Sequence, residues 1–338
     1  MASSNDLFVN VPLVWIELGR GVPKYLQRNI AFTREIYPKA RLLLVTDSLS
    51  VPELLGIEII KLRELVQEDK TKIEKIGFNW RGRNQRDFWI NTSLRFQILL
   101  WLMEYLEIQN AIHLESDCIP LELSEVFRLL QDKSWGIAYP LQTKDAGCAS
   151  IFVVNKRKSL QYFVDYMIKQ SSAEWQDDMQ LLGRYCHDSN DVLILPTKIE
   201  GDSPFIFDAQ SIGKFYFGTD ARNNRFPFRT RAKVDSRMNL IIDNLPNRLK
   251  FNLSDSRPGI QLSIGSSNQI LCNLHLHSKD LPKNVRTLKK MCRRAFGSGS
   301  TFMWRLGKID WIVVKERLLD GTKRRLVGEK KKPMKYFR

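Results

Sequence analysis

Two acidic residues separated by one position follow an apolar run in the middle of the chain. The segment reads Ile-His-Leu-Glu-Ser-Asp, so that a strand-like run ends in Glu115 and Asp117. Ligands of open α/β sheets bind at the carboxyl ends of strands, where carboxylates can hold a hard divalent cation against a diphosphate. An acid-x-acid triplet by itself is also typical of a solvated turn. Its place directly after an apolar run favours a Mg²⁺ or Mn²⁺ site.

A second cluster of polar residues lies shortly before the basic C-terminal end of the sequence. Two of the four histidines, His275 and His277, are followed by Lys279. Alternation along a strand places both imidazoles on one face. One of them could complete the coordination of the same cation, with Lys279 facing the diphosphate as a point charge. Two incidental histidines on a half-exposed strand are the other interpretation, and the sequence does not decide which histidine would be the ligand.

A third acidic pair, Asp177 and Asp178, precedes an apolar-periodic segment. Acids at this place are favoured by helix capping and by the helix dipole, which is a purely structural explanation. A carboxylate near a bound sugar could instead orient a hydroxyl or act as a general base. Asp178 is therefore a candidate catalytic residue.

The elements that must position these residues alternate between strands and helices. The apolar runs Leu13–Glu17, Arg41–Thr46 and Gly56–Lys61 are predicted strands, with a helix over Val22–Tyr37 between the first two. A β-α-β-α-β order predicts a parallel, doubly wound sheet. Glu17 and Asp47 close the first two strands and are candidate contacts to a bound nucleotide.

The next segments continue the alternation. Phe88–Leu106 has helical spacing and carries Arg95, and Ala111–Leu114 is the strand before the acidic pair. Further strands are predicted at Ser134–Tyr139, Ala149–Val154 and Val192–Leu195, and further helices at Lys158–Lys169 and Asp177–Tyr185.

Charge divides the chain into two parts. Residues 281–338 hold 18 Lys and Arg against 4 Asp and Glu, which is +14 of the net charge of +16. The remaining residues are nearly neutral. We therefore predict a catalytic domain over 1–280 and a basic C-terminal extension over 281–338. Such cationic ends bind phosphates, either of lipid headgroups or of nucleic acid.

The extension begins with a predicted basic amphipathic helix, in which Val285, Leu288 and Cys292 share one face and Arg286 lies on another. One interpretation is that its apolar face docks on an anionic membrane. The other is that this face packs on the catalytic domain, and the sequence leaves both open.

The composition of the chain indicates where in the cell the protein is located. Apolar runs are far shorter than the roughly 20 residues of a membrane-spanning helix, and the first residues lack the pattern of a signal peptide. The five cysteines are scattered without a CxxC pair, which predicts neither a zinc site nor a disulfide framework. These features predict a cytoplasmic protein, peripheral at the inner membrane face if the extension docks there.

The order of these motifs resembles the GT-A-fold glycosyltransferases, especially the bacterial-type and viral-type transferases of surface polysaccharides. The resemblance runs from Leu13 to Lys279. It is carried by the following segments: Ser93-Leu94-Arg95-Phe96, His113-Leu114-Glu115-Ser116-Asp117, Gly147-Cys148-Ala149-Ser150-Ile151-Phe152, Asp178-Met179, Phe207-Asp208 with Ile212-Gly213, and the late Leu-His-x-His-Ser-Lys. The implied fold is a Rossmann-type mixed sheet flanked by helices, followed here by the basic helical extension.

The resemblance also implies ligands and roles. It implies a nucleotide-sugar donor, a glycan or lipid-linked acceptor, and Mn²⁺ or Mg²⁺ as cofactor. Asp117 is similar in position to the chief metal carboxylate, and His277 to the late metal ligand. Glu115 would face the ribose or the metal, although the family pattern has Asp there. Arg95 and Lys279 would contact the donor.

A binding protein is the alternative to an enzyme. The basic end could bind nucleic acid or an anionic membrane without any catalysis. No helix-turn-helix, zinc-finger or RNA-binding signature is present. The charge also lies outside the α/β part, which disfavours nucleic acid as the main partner.

Overall fold

The structure is a computed structural model, and it describes only part of the chain. The described residues are 10–19, 21–54, 56–66, 86–173, 177–198, 202–217, 252–254, 261–264, 269–277 and 279–296. Most of the basic extension therefore lies outside the described residues.

Strands and helices alternate over most of this range. The strands are β1 (Leu13–Glu17), β2 (Leu42–Thr46), β3 (Glu58–Lys61), β4 (Ala111–Leu114), β5 (Cys118–Pro120), β6 (Ile137–Thr143), β7 (Ala146–Gly147), β8 (Ile151–Val154), β9 (Val192–Leu195), β10 (Phe205–Ile206), β11 (Asn252–Ser254), β12 (Gln261–Ile264), β13 (Gln269–Leu271) and β14 (Asn273–His275). The helices are α1 (Lys24–Ile36), α2 (Leu62–Leu65), α3 (Arg86–Tyr105), α4 (Ser124–Leu129), α5 (Arg157–Ala173), α6 (Asp178–Asp188), α7 (Ser211–Phe217) and α8 (Val285–Phe296).

The main sheet is mixed. Among the described residues its strand order is β3-β2-β1-β4-β8-β6-β7, and β9 also pairs with β6. The first four strands are mutually parallel, whereas β8 runs antiparallel to both β4 and β6. The parallel order predicted for the first three strands is confirmed, and the antiparallel β8 makes the sheet as a whole mixed. Only a short connection separates β6 from β8, and a parallel pair needs a crossover of about a dozen residues or more.

Helices cover both faces of this sheet. The side chains of β1 alternate, so that Leu13 and Trp15 enter a core shared with α1, while Val14 enters a core shared with α3, α5 and α6. The all-buried apolar sequence of β2 fits a strand covered on both sides. The predicted class, a mixed α/β sheet flanked by helices, is confirmed.

A short two-stranded sheet places residues near 275 beside the strands at the centre of the main sheet. The strand β14 pairs antiparallel with β5, and this register sets His275 opposite Cys118. Because β5 follows the turn after β4 directly, the pairing brings residues near 275 to the acidic pair.

The helix α8 packs on the main body. Leu288 and Cys292 are buried in the same core as β1 and α1, and Arg286 on the opposite face is exposed. The apolar face of α8 is thus covered by protein, as the second interpretation of this helix expected. No described helix combines the length and the apolar character that crossing a membrane requires.

Candidate functional site

Acidic residues meet where parallel strands end. Glu17 is the last residue of β1, Asp47 follows β2, and Glu115 follows β4. Because β1 lies between β2 and β4, the chain moves away from β1 in both directions, and the gap between β1 and β4 is a topological switch point. Such a crevice is where open α/β sheets bind ligands.

The turn that carries the acidic pair is held by backbone hydrogen bonds. The amide of Glu115 donates to the carbonyl of Ser150 at 3.1 Å. The buried amide side chain of Asn29, on α1, donates to the carbonyls of Ser116 at 3.1 Å and of Cys118 at 2.8 Å. These bonds fix the backbone of the turn from which both carboxylates project.

His275 lies between the two acids. Its Nε2 is 3.2 Å from Asp117 Oδ1 and 3.3 Å from Glu115 Oε2. Burial opposes the charged imidazole, but the carboxylate of Asp117 holds the pKa of His275 well above its usual range. A protonated His275 therefore bridges the pair.

Lys279 supplies a second positive charge. Its ammonium pairs with the other oxygen of Asp117, and it lies 5.0 Å from the ring centroid of Tyr25. Burial raises the pKa of Asp117, but Lys279 and His275 outweigh it and hold that pKa well below its usual range. Asp117 is thus a buried carboxylate with 4% of its surface exposed and two cationic partners.

His277 lies one step away from the carboxylates. The strand β14 ends at His275, so strand alternation does not extend to His277. Its ring centroid is 4.8 Å from that of His275. Burial and the charge of His275 lower the pKa of His277 to about 3. The structure brings His275 onto the acids, and a role for His277 as metal ligand stays a prediction.

Arg95 is buried between two carboxylates. Its guanidinium donates to Glu115 Oε1 at 2.6 Å and also pairs with Asp178. Asp177 caps α6, since its carboxylate accepts the amide of Gln180 at 2.8 Å. Asp178 is only 2% exposed and points to Arg95. Asp177 thus caps the helix and Asp178 pairs with Arg95, and catalysis by Asp178 stays a prediction.

Glu17 and Asp47 lie at the same edge of the main sheet, where the parallel strands end, and each has a different hydrogen-bond partner. The hydroxyl of Ser116 donates to Glu17, and the amide of Gly19 donates to Asp47 at 3.0 Å. Burial raises the pKa of Glu17 to about 7. Contact of either residue with a nucleotide stays a prediction.

Asp208 is a buried residue that positions His275. Its carboxylate accepts the amides of Ile212 at 3.0 Å, Gly213 at 2.9 Å and His275 at 3.0 Å. It thereby fastens the start of α7 to β14. The sequence placed Asp208 within the resemblance without a role, because backbone amides distant in sequence are not visible there.

Cys148 also lies at the site. Its Sγ is 3.9 Å from Nδ1 of His275, and one ligand atom each of Glu115, Cys148 and His275 lie within 4.8 Å of one another. Asp117 Oδ1 is close to the same imidazole. Carboxylate and imidazole are donors that a divalent ion such as Mn²⁺ accepts. Positive charge from His275 and Lys279 now compensates the acids. The residues therefore fit a divalent cation.

Solved structures of glycosyltransferases are similar to part of this chain. The galactosyltransferase LgtC, in complex with donor and acceptor sugar analogues, has a TM-score of 0.36 and 12% identity over 56% of this chain and 75% of its own. Mouse xyloside xylosyltransferase 1 has a TM-score of 0.37 and 12% identity over 56% and 86%. The glycosyltransferase GlyE of Streptococcus pneumoniae TIGR4 has a TM-score of 0.34 and 14% identity over 55% and 45%.

No protein-family model and no curated protein matches the chain. At these identities and TM-scores, the likeness to solved structures does not define an activity. The geometry of the site has to support any functional conclusion.

Proposed function

We propose that the protein is a glycosyltransferase that moves a sugar from a nucleotide-diphosphate donor to a hydroxyl of a glycan or lipid-linked acceptor. The observation that supports this is the acidic pair with its imidazole at a switch point of the sheet. A crevice at that place accepts nucleotides in α/β proteins, and oxygen ligands beside it suit a cation that binds a diphosphate.

Glu115, Asp117 and His275 are the residues that would hold Mn²⁺ or Mg²⁺. The cation would supply charge that stabilises the departing nucleoside diphosphate. Asp117 would contribute most, because it is ionised, buried and held between His275 and Lys279.

The chain's own cations would act on the same diphosphate. Lys279 is a partly buried ammonium beside Asp117 and close to the crevice. Arg95 is more deeply buried and already has two carboxylate partners. We therefore assign direct phosphate contact to Lys279 and orientation of Glu115 to Arg95. Glu17 and Asp47 would contact the nucleoside from the ends of β1 and β2.

The test is binding and slow hydrolysis across a panel of nucleotide sugars, with Mn²⁺, with Mg²⁺ and with EDTA. The expected result is that one donor binds by calorimetry and releases its sugar only with metal. Absence of binding to every donor under all three conditions would overturn the proposal.

A second candidate rests on charge. Arg286 and Lys290 are exposed on α8, and the residues after α8 carry further Lys and Arg. Cationic sequence of this kind suits nucleic acid or anionic lipid. Strong, salt-sensitive binding of a defined oligonucleotide, combined with no donor binding, would favour this function over sugar transfer.

A further inference from the structure

Cys148 gives the site a donor that a magnesium or manganese site does not need. It lies between β7 and β8, and its amide donates to the carbonyl of Pro140 at 2.9 Å. This bond fixes the backbone, and the thiol is 3% exposed and has no disulfide partner. Its Sγ faces Nδ1 of His275 at 3.9 Å.

The donors around His275 are of two kinds. Nε2 of the imidazole contacts the carboxylates of Glu115 and Asp117, and Nδ1 contacts the sulfur of Cys148. One ligand atom each of Glu115, Cys148 and His275 lie within 4.8 Å of one another, which is close enough for a single ion after small side-chain shifts. Hard ions such as Mg²⁺ prefer oxygen ligands, whereas thiolate and imidazole together select zinc-like ions. Three protein ligands of mixed type leave a fourth position open on Zn²⁺.

We infer that Glu115, Cys148 and His275 form a binding site for a thiophilic divalent cation of the Zn²⁺ class. Zn²⁺ binds the sulfur as thiolate and His275 as neutral imidazole, and the thiol proton and the imidazolium proton both pass to solvent. The inference rests on the proposed function for the role of the crevice, but the metal site itself needs no sugar donor. Because two ligands are shared, Zn²⁺ and Mn²⁺ compete for this crevice.

Cobalt titration of the full chain tests the inference directly. Co²⁺ replaces Zn²⁺ in tetrahedral sites and shows a near-ultraviolet charge-transfer band only when a thiolate is bound. The expected result is one such band that saturates at one ion per chain and disappears when Zn²⁺ is added. Absence of the band would overturn the inference.

Matched cysteine variants locate the sulfur. Cys148→Ser removes the proposed ligand, while Cys186→Ser changes a half-buried cysteine whose thiol bonds only to a carbonyl of its own helix. We expect the band to vanish in Cys148→Ser and to persist in Cys186→Ser. Zn²⁺ affinity should fall in the former alone, by more than the roughly 100-fold that loss of an outer-shell partner costs. A band that survives in Cys148→Ser would assign the thiolate to another cysteine and overturn the site.

X-ray absorption on the unmodified protein avoids dependence on a variant that fails to fold. We expect one sulfur scatterer at about 2.3 Å per bound zinc, and a shell of nitrogen and oxygen alone would contradict the inference. The donor panel with Mn²⁺ reports separately on sugar transfer. A thiolate band without donor binding removes only the proposed function, and donor binding without the band removes only this inference.

Discussion

At the scale of single residues, the site requires that buried negative charge be compensated by nearby positive charge. Two buried carboxylates in one crevice repel each other and lose their hydration. Here Lys279 pairs with one of them, Arg95 with the other, and His275 bridges both. A carboxylate prepared in this way remains ionised and available to a cation.

Asp117→Asn tests this arrangement. The substitution keeps the shape of the side chain but removes the charge that a cation would need. We expect Mn²⁺-dependent donor binding to weaken about 100-fold, roughly 3 kcal/mol, by calorimetry. Asp165→Asn, at an exposed position on α5, should bind like the unmodified protein. Equal binding by both variants would contradict the role of Asp117.

Glu17 provides a pH prediction. Its pKa is about 7 in the folded protein against 4.5 ordinarily, so the folded state holds this proton more tightly than the unfolded state. The free energy of unfolding therefore decreases as the pH rises from 4.5 through 7. Glu17→Gln has no carboxyl group to ionise and does not lose this stability. We expect its free energy of unfolding at pH 8 to exceed that of the unmodified protein by about 1 kcal/mol, a figure reduced because the side chain is partly exposed. Urea unfolding at pH 8 and pH 4 measures this, and an equal difference at both pH values would show another cause.

At the scale of elements, α7 and β14 are in unusually close contact. A Cβ at Gly213 would lie 1.7 Å from the carbonyl oxygen of His275. Together with the three amide bonds to Asp208, this contact sets the position of the imidazole. The geometry of the proposed metal site would therefore depend on a helix that carries none of the proposed ligands.

Gly213→Ala, in α7, should therefore displace the neighbouring strand β14. The clash is with backbone, which cannot rotate away, so β14 and His275 must shift. We expect a loss of stability of about 2–3 kcal/mol and weaker cobalt binding in the protein that remains folded. Unchanged cobalt binding would show that α7 does not position His275.

The Arg95–Asp178 pair joins α3 to α6. Breaking a buried ion pair typically costs about 3–5 kcal/mol, and the low end applies here because Arg95 keeps Glu115 as its second partner. We expect Asp178→Asn to lower the free energy of unfolding by about 3 kcal/mol. Glu104→Gln, exposed on α3, should change it by less than about 0.5 kcal/mol. A fully stable Asp178→Asn that nevertheless cannot transfer sugar would support the predicted catalytic role instead.

At the scale of the whole molecule, the first helix of the basic extension, α8, packs into the core of the main body. The α8 residues Leu288 and Cys292 share a cluster with β1 and α1. Removal of α8 would thus expose part of the body. The boundary predicted at 280 therefore precedes a helix that the body needs, and independence of the residues after α8 stays a prediction.

Leu288→Ala separates packing from membrane binding. We expect a loss of about 2–4 kcal/mol in unfolding free energy, because the side chain is fully buried. Flotation of the folded variant with anionic vesicles should not change. Arg286→Ala should leave stability within about 0.5 kcal/mol and reduce flotation if the basic face binds lipid. Reduced flotation in Leu288→Ala alone would instead indicate that the apolar face enters the membrane.

Local patterns predicted much of this protein. The bounds of β1 and β4 agree with the apolar runs Leu13–Glu17 and Ala111–Leu114, and α1 lies within its predicted range. The acidic pair at the end of β4 was evident too. These features follow from side-chain periodicity and burial, which operate over a few neighbouring residues.

Tertiary structure alone decided the rest. The direction of β8 depends on the short path from β6, and the position of His275 between the two acids depends on the pairing of β14 with β5. Cys148 meets His275 across 127 residues of chain, and spacing therefore gave no sign of it. An amphipathic pattern shows that one face of α8 needs cover but not what covers it. Contacts between distant segments depend on how whole elements pack, and no local pattern encodes them.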